Sequence, residues 1–360
     1  MAVAGRQADR LNASPWHDVP VSIAAERFAA QLLTDRSART PEQVAERLLA
    51  IQAQDPRGAR LAVRSRSLGL HSSDVDRALD ERRLVITTLN RGTLHLVRPE
   101  DYWWLQQLTT PPLLTGSSRR LAQEGVPPAD ADRAVALITK RLADGPATRN
   151  QLRDIVAAAG IRVEGQAFIH QIYRASLEGL IVRGPMAGGE HAFVLVRDWL
   201  GKPPKLDRDR SLAELGRRYL VGHGPADARD LARWSGLPLG DARKALTGAG
   251  IERPDGLVEA KGSKPTDAVP PPRLLGSFEP VLLGWTSRDD VVGEDRTLVT
   301  SNGIFRPFAL VDGVAVGSWG YAGGKVSLKP FCTLPAAVTK ALDAEAADVR
   351  AFLQPTKGQP

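Results

Sequence analysis

The chain of 360 residues holds one cysteine, Cys332, which excludes an internal disulfide and any multi-cysteine zinc or iron–sulfur site. Its six histidines (His17, His71, His95, His170, His191 and His223) are scattered with no pair at ligand spacing, so no metal and no cofactor are expected. Ser-His-Asp and phosphate-loop patterns are missing as well. No apolar run is long enough to span a bilayer, and Asp9 and Arg10 interrupt the N-terminus, so the expectation is a cytoplasmic protein with no membrane partner. Acids are missing from one further place. Between Asp55 and Asp74 there is no Asp or Glu, although Arg57, Arg60, Arg64 and Arg66 all fall there.

What is present is an ordinary soluble composition, 42% hydrophobic and 25% charged, with chain enough for two or three domains. Lys+Arg 48 against Asp+Glu 41 gives +7, a surplus that suits a polyanion such as nucleic acid without requiring one. The chain turns on Ile51-Gln52-Ala53-Gln54-Asp55-Pro56-Arg57. Pro56 forces Asp55 out of the helical region, so the helix signalled by Val44, Leu48 and Leu49 should stop near Gln54. Asp55 can then cap a new helix with Pro56 in its first turn. Residues two apart share a face only in extended chain, so Gln52 and Gln54 can project into one space because the helix ends there. Arg57, Arg60 and Arg64, spaced i, i+3, i+7, would line one face of the following helix, as phosphate contacts or as a solvated stripe.

Downstream, Leu84–Leu89 and Thr93–Val97 flank Asn90-Arg91-Gly92, which reads as a hairpin. Helices followed by a two-stranded hairpin suggest a winged helix, with Arg91 at the wing tip. Asp144-Gly145-Pro146-Ala147 and His223-Gly224-Pro225-Ala226 then repeat 79 positions apart, about one such module. Arg183 lies near the wing of the second copy. After Pro270-Pro271-Pro272 the short β-rich runs Pro280–Leu283, Asp290–Val292, Gly303–Phe305, Phe308–Val311, Val314–Val316 and Lys325–Leu328 suggest a small barrel, and a helix from Pro335 to about Leu353 follows. The expected fold is α+β: tail 1–20, winged helices over 21–115, 116–204 and 205–266, a β-barrel over 267–332, and a C-terminal helix and tail over 333–360.

Ile51 to Arg66, Arg91 to Val97, Gly224 to Leu237, Leu282 to Trp285, and Asn302 to Pro307 with Val311-Asp312-Gly313 together resemble the AlkZ-like DNA glycosylase family, named for its azinomycin-resistance member. The likeness runs in order from about residue 22 to 332. It implies three tandem winged helices in a C-shape with a β-barrel, embracing duplex DNA. The family's catalytic Gln-x-Gln falls on Gln52 and Gln54 unchanged, which points to the branch acting on bulky or crosslinking adducts.

Glutamine is an unusual choice for glycosidic cleavage, which ordinarily needs a carboxylic acid to protonate the leaving group. A 7-alkylguanine already carries a positive charge and leaves without that proton. What remains is to hold a water and support an oxocarbenium-like transition state with oriented dipoles, which amides can do. The expected activity is hydrolytic, monofunctional release of bulky cationic alkylpurines from double-stranded DNA by a monomer, in repair or self-resistance. Asp55 could polarise the water or simply cap its helix. His95 could be a satisfied core histidine or approach phosphate or lesion. Arg57, Arg60, Arg64, Arg66, Arg91 and Arg183 are the DNA-contact candidates. The competing readings are a winged-helix transcriptional regulator and a protein that sequesters a DNA-reactive metabolite.

Overall fold

A computed structural model describes residues 21–187, 189–293, 297–300 and 302–354. The expected tails at 1–20 and 355–360 lie outside the described residues. Helix α1 (Val21–Ala30) and α2 (Pro41–Leu48) lead to a two-residue strand β1 (Ile51–Gln52), then α3 (Pro56–Arg64), α4 (Ser72–Asp80) and the strands β2 (Val85–Leu89) and β3 (Thr93–Val97). After α5 (Pro99–Thr109) and α6 (Pro111–Gln123) come α7 (Pro128–Leu142), α8 (Arg149–Ala158), α9 (Ala167–Leu177), β4 (Ile181–Ala187) and β5 (Glu190–Leu195). A short α10 (Val196–Trp199) precedes α11 (Arg208–His223), α12 (Ala228–Ser235), α13 (Leu239–Leu246), β6 (Ile251–Glu252) and β7 (Val258–Glu259). The last part holds β8 (Arg273–Leu275), α14 (Asp289–Val292), β9 (Phe308–Val311), β10 (Val314–Ala322), β11 (Lys325–Pro330) and α15 (Ala336–Leu353).

Three helices followed by an antiparallel strand pair thus occur three times, and one joint recurs in all three. The residue between the first and second helix pairs with the second strand of the hairpin. Ala147 bridges Phe193 and Ala226 bridges Val258, each through two backbone hydrogen bonds of 2.8–3.1 Å. In the first copy β1 does this, with Gln52 opposite His95. The next residue caps the second helix in the later copies: Thr148 accepts from the Gln151 amide, and Asp227 from those of Arg229 and Asp230. In the first copy the cap is Asp55, three residues after Gln52, so Ala53 and Gln54 are two residues that the other copies lack.

Two expectations need correction. The first and second hairpins are not separate wings: Ile86 pairs with Arg183, merging them into one sheet of order β1-β3-β2-β4-β5. The boundary drawn at 115 also falls inside α6. Second, the C-terminal region contains no closed barrel but an open four-stranded sheet, β11-β10-β9-β8. Of the expected strands, Pro280–Leu282 is a 3-10 turn, Asp289–Val292 a turn of helix, and Phe305 makes one bridge to Val299. The sheet has no need to close, because α15 covers one face. Leu342, Val349 and Phe352 pack there on Leu274, Ala309, Val316 and Trp319, together with Leu61 from α3.

The α3 helix also overturns the expected arginine stripe. Every residue from Gly58 to Arg64 is buried. The Arg64 guanidinium donates to Asp348 at 2.6 Å, to the Leu274 carbonyl at 2.7 Å and to Glu345 at 2.9 Å. Arg66, 0% exposed, donates to Gln31 at 2.7 Å and Glu279 at 2.5 Å. These two arginines are internal braces and not DNA contacts, because each needs its buried carboxylate to offset desolvation. Arg66→Met should therefore lower the unfolding free energy by about 3–5 kcal/mol, by stranding Glu279. Adding Glu279→Leu should recover most of the loss, read from urea denaturation midpoints. A single variant as stable as the parent would show the pair contributes nothing.

Candidate active site

Strand β1 places the two glutamines. Ile51 pairs with Leu96, Gln52 with His95, and the Ala53 amide donates to the Leu94 carbonyl at 2.7 Å, so the chain stays extended to Ala53. Ile51 and Ala53 point into the core of the first copy. By strand alternation Gln52 and Gln54 take the opposite side. Gln52 is buried and Gln54 is exposed. Gln54 lines the rim of a cavity of about 600 Å³ whose walls include Thr88, His170, Tyr173, Arg183 and Phe193.

Arg91 closes the other side of Gln52. It sits in the β2–β3 turn at φ 57° and donates to the Arg233 carbonyl at 2.7 Å and the Trp234 carbonyl at 2.5 Å, satisfying the C-terminal end of α12. Its second Nη donates to Gln52 Oε1 at 3.4 Å. Burial, then the like charges of Arg233 and Arg288, push the Arg91 pKa down to about 10, so it is still a cation at neutral pH. Arg91 is therefore a clamp between the first and third copies rather than a free phosphate hook at a wing tip. Gly236 allows this, since a Cβ there would come within 3.1 Å of the Arg91 backbone.

The remaining candidates divide sharply. His95, 3% exposed, has Nδ1 2.9 Å from the Thr93 carbonyl. Burial and the Arg91 charge push its pKa down to about 3, so it is neutral and satisfied, with no cation to offer phosphate. Asp55 accepts from the Arg57 amide at 3.0 Å through one oxygen and from Ser277 Oγ through the other, as a helix cap does. Arg60 is bound to Asp76 and to the Pro56 carbonyl. Arg57 is exposed, with its guanidinium 5.3 Å over the Tyr321 ring. Arg183 is half-buried, 5.2 Å over the Phe193 ring, with its pKa lowered by burial and by Arg149. The structure thus gathers Gln52, Gln54, Arg91 and His95 around β1 and puts Arg183 across the cavity. Arg57, Arg60, Arg64 and Arg66 lie on α3 and just beyond it, turned to other partners. Sequence reading missed Tyr173, His170 and Arg149, which come from the second copy and carry no motif.

A sequence profile described as DNA glycosylase AlkZ-like matches residues 45–352. The chain belongs to the AlkZ-like DNA glycosylase family. A Streptomyces sahachiroi protein described as an interstrand DNA cross-link repair glycosylase is 28% identical over 356 residues, covering 91% of this chain and 94% of that one. The solved structure of the Streptomyces sahachiroi DNA glycosylase AlkZ superposes with a TM-score of 0.72 at 25% identity, over 92% of this chain and 96% of the other. This AlkZ-like chain is accordingly a DNA glycosylase acting in repair, which sets aside the transcriptional-regulator reading. Among the described residues no helix is long and apolar enough to cross a membrane.

The buried histidines set a pH dependence for stability. His223 is stacked on Tyr219 with ring centroids 4.8 Å apart, and burial pushes its pKa down to about 3. A depressed folded value means the unfolded chain takes up a proton below pH 6.5 that the folded chain refuses. The contribution is present above pH 6.5 and is lost as pH falls towards 3. His223→Phe should reduce the slope of unfolding free energy against pH, between pH 6 and 4, by about 1.4 kcal/mol per pH unit. Denaturant titrations across that range read it directly, and an unchanged slope would refute the assignment.

Proposed function

We propose that this glycosylase hydrolyses the N-glycosidic bond of cationic alkylpurines in double-stranded DNA, bulky 7-alkylguanines and interstrand crosslinks included, with Gln52 and Gln54 holding the water. The observation that carries the reading is the absence of an acid. Among the described residues the cavity beside Gln54 is lined by amide, hydroxyl, guanidinium, imidazole and apolar groups with no carboxylate. The nearest acid in sequence, Asp55, is engaged as a cap. A neutral leaving base would need a carboxylic acid, and the His170 imidazole, its pKa lowered by burial and then by Arg120, is a poor substitute, whereas an alkylated purine carries its own charge. Breaking that bond moves charge from base to sugar without creating any, and an oriented amide dipole suffices to steady it. Arg91 takes one lone pair of the Gln52 oxygen, leaving the second to orient a water whose oxygen bonds to the sugar C1′ as the C1′–N9 bond breaks, the purine departing neutral and the water's proton passing to solvent.

The recurring frame of three helices and a strand pair supports reading the chain as three tandem winged-helix modules wrapped around the duplex. The protein would act as a cytoplasmic monomer, since tandem modules supply from one chain the DNA contacts that regulators obtain by dimerising. The likeness to a cross-link repair glycosylase supports the crosslink as one substrate.

Gln52→Ala and Gln54→Ala should each slow single-turnover base release from a 7-alkylguanine duplex at least tenfold, with little change in duplex affinity, because each removes a water contact and no phosphate contact. Parent-like rates in both would take the glutamines out of the mechanism. Against a panel of single-lesion duplexes the parent should release 7-alkylguanine or 3-alkyladenine and leave uracil and 8-oxoguanine intact. Efficient uracil release would overturn the argument from leaving-group charge.

A further inference from the structure

The cavity beside Gln54 is too large and too apolar for the reacting water alone. Its volume of about 600 Å³ lies within the range of pockets that enclose drug-sized ligands, and a single nucleobase is smaller than those. Ile169, an exposed large hydrophobe, stands in its wall with Leu113, Tyr173 and Phe193. Ser117 Oγ, His170 Nδ1 and Arg183 Nε are buried polar atoms without a partner, and all three residues line this cavity. Such orphans are rare in folded proteins and mark a place where a partner is expected to arrive. Arg149 and Arg183 stand in the same wall, where the Glu190 carboxylate accepts from the Arg149 amide at 3.2 Å and partly offsets the lowering of the Arg183 pKa.

A glycine adds a second, independent sign. Gly116 lies inside α6, where glycine costs about 0.5–1 kcal/mol relative to alanine. It closes no turn, and a Cβ built on it meets nothing within 4 Å, so no close approach requires it. It does line the cavity, and any larger side chain there would reduce the space.

We infer that this cavity is the subsite for the non-base part of the adduct: an uncharged, largely apolar appendage carrying carbonyl-type oxygens, attached to the purine whose bond is broken at Gln54. The apolar walls hold the body of the appendage, and Arg183 and Ser117 donate to its oxygens. This rests on the proposed function and names its substrate class. A free phosphate is the poorer fit, because most of the wall surface is apolar even though Arg120, Arg149 and Arg183 are set in it. A flipped base alone would leave most of the cavity unfilled.

Gly116→Trp tests it, since the substitution projects into open space and replaces a poor helix former. Two duplexes are compared, one with 7-methylguanine and one with guanine carrying at N7 an apolar aromatic ester. The parent should bind the bulky duplex more tightly than the methyl duplex. Gly116→Trp should abolish that preference and slow bulky-adduct release at least tenfold more than it slows methyl release. Arg183→Met should weaken bulky-adduct binding without altering the helix content. Equal binding of both duplexes by the parent, or a preference that survives Gly116→Trp, overturns the subsite. A preference that Gly116→Trp removes, in a protein that releases neither base, sustains the subsite and sinks the proposed chemistry instead.

Discussion

Two buried guanidiniums fix the position of the site. Arg64 and Arg66 anchor α3 to Glu345, Asp348 and the Leu274 carbonyl on one side and to Glu279 and Gln31 on the other. Gly58 completes the fit: a Cβ there would meet the Ser277 carbonyl at 2.4 Å, so only glycine lets the C-terminal loop lie against the helix. Ser277 in turn donates to Asp55, the cap of α3. Strand β1 enters this assembly directly from Gln52, so the C-terminal sheet sets where the glutamines stand although it supplies none of the site's chemistry. Burial makes such pairs strong positional constraints even where a hydrophobic replacement would be equally stable.

Cations outweigh acids around β1 and its cavity. Arg91, Arg233 and Arg288 lie close enough to lower the Arg91 pKa together, and Arg149 does the same to Arg183. His95 stays uncharged within this field. A cationic setting with no carboxylate in the cavity wall suits a polyanionic substrate and is poorly suited to general acid catalysis by a carboxylic acid. The positive surroundings attract the phosphate backbone, while chemistry is left to dipoles and to the charge of the lesion.

The β2–β3 hairpin, the break before Pro56, the cap at Asp55 and the C-terminal helix were legible because each rests on local signals: period-two alternation, a proline, a turn glycine. The arginine stripe misled because Gly58, Ala59, Leu61, Ala62 and Val63 are buried around it, leaving α3 exposed only in its first turn at Pro56 and Arg57. Composition alone cannot tell a cationic surface helix from a buried one whose acids lie 200 or more residues downstream, as Glu279 lies |i−j|=213 from Arg66. The barrel failed for a related reason. Runs such as Pro280–Leu283 and Asp290–Val292 are too short for periodicity to separate strand from turn. The cavity was illegible because Gln54, Tyr173 and Arg183 meet only when two hairpins join into one sheet.

The three-fold recurrence explains why the two amides sit where they do. In the second and third copies the joint between helices is closed by alanine, followed at once by the cap residue, and that geometry leaves no side chain to project. In the first copy the same backbone position carries Gln52, and the two further residues, Ala53 and Gln54, continue the strand before Asp55 caps α3. An even insertion preserves alternation: Ala53 returns to the core beside Ile51, and Gln54 emerges on the side of Gln52. One residue would have turned the second amide into the core, and three would have moved the cap out of phase with the strand. A structural joint thereby gains a pair of oriented amides on one face while its backbone pairing to β3, and with it the hydrophobic core beneath, is left intact.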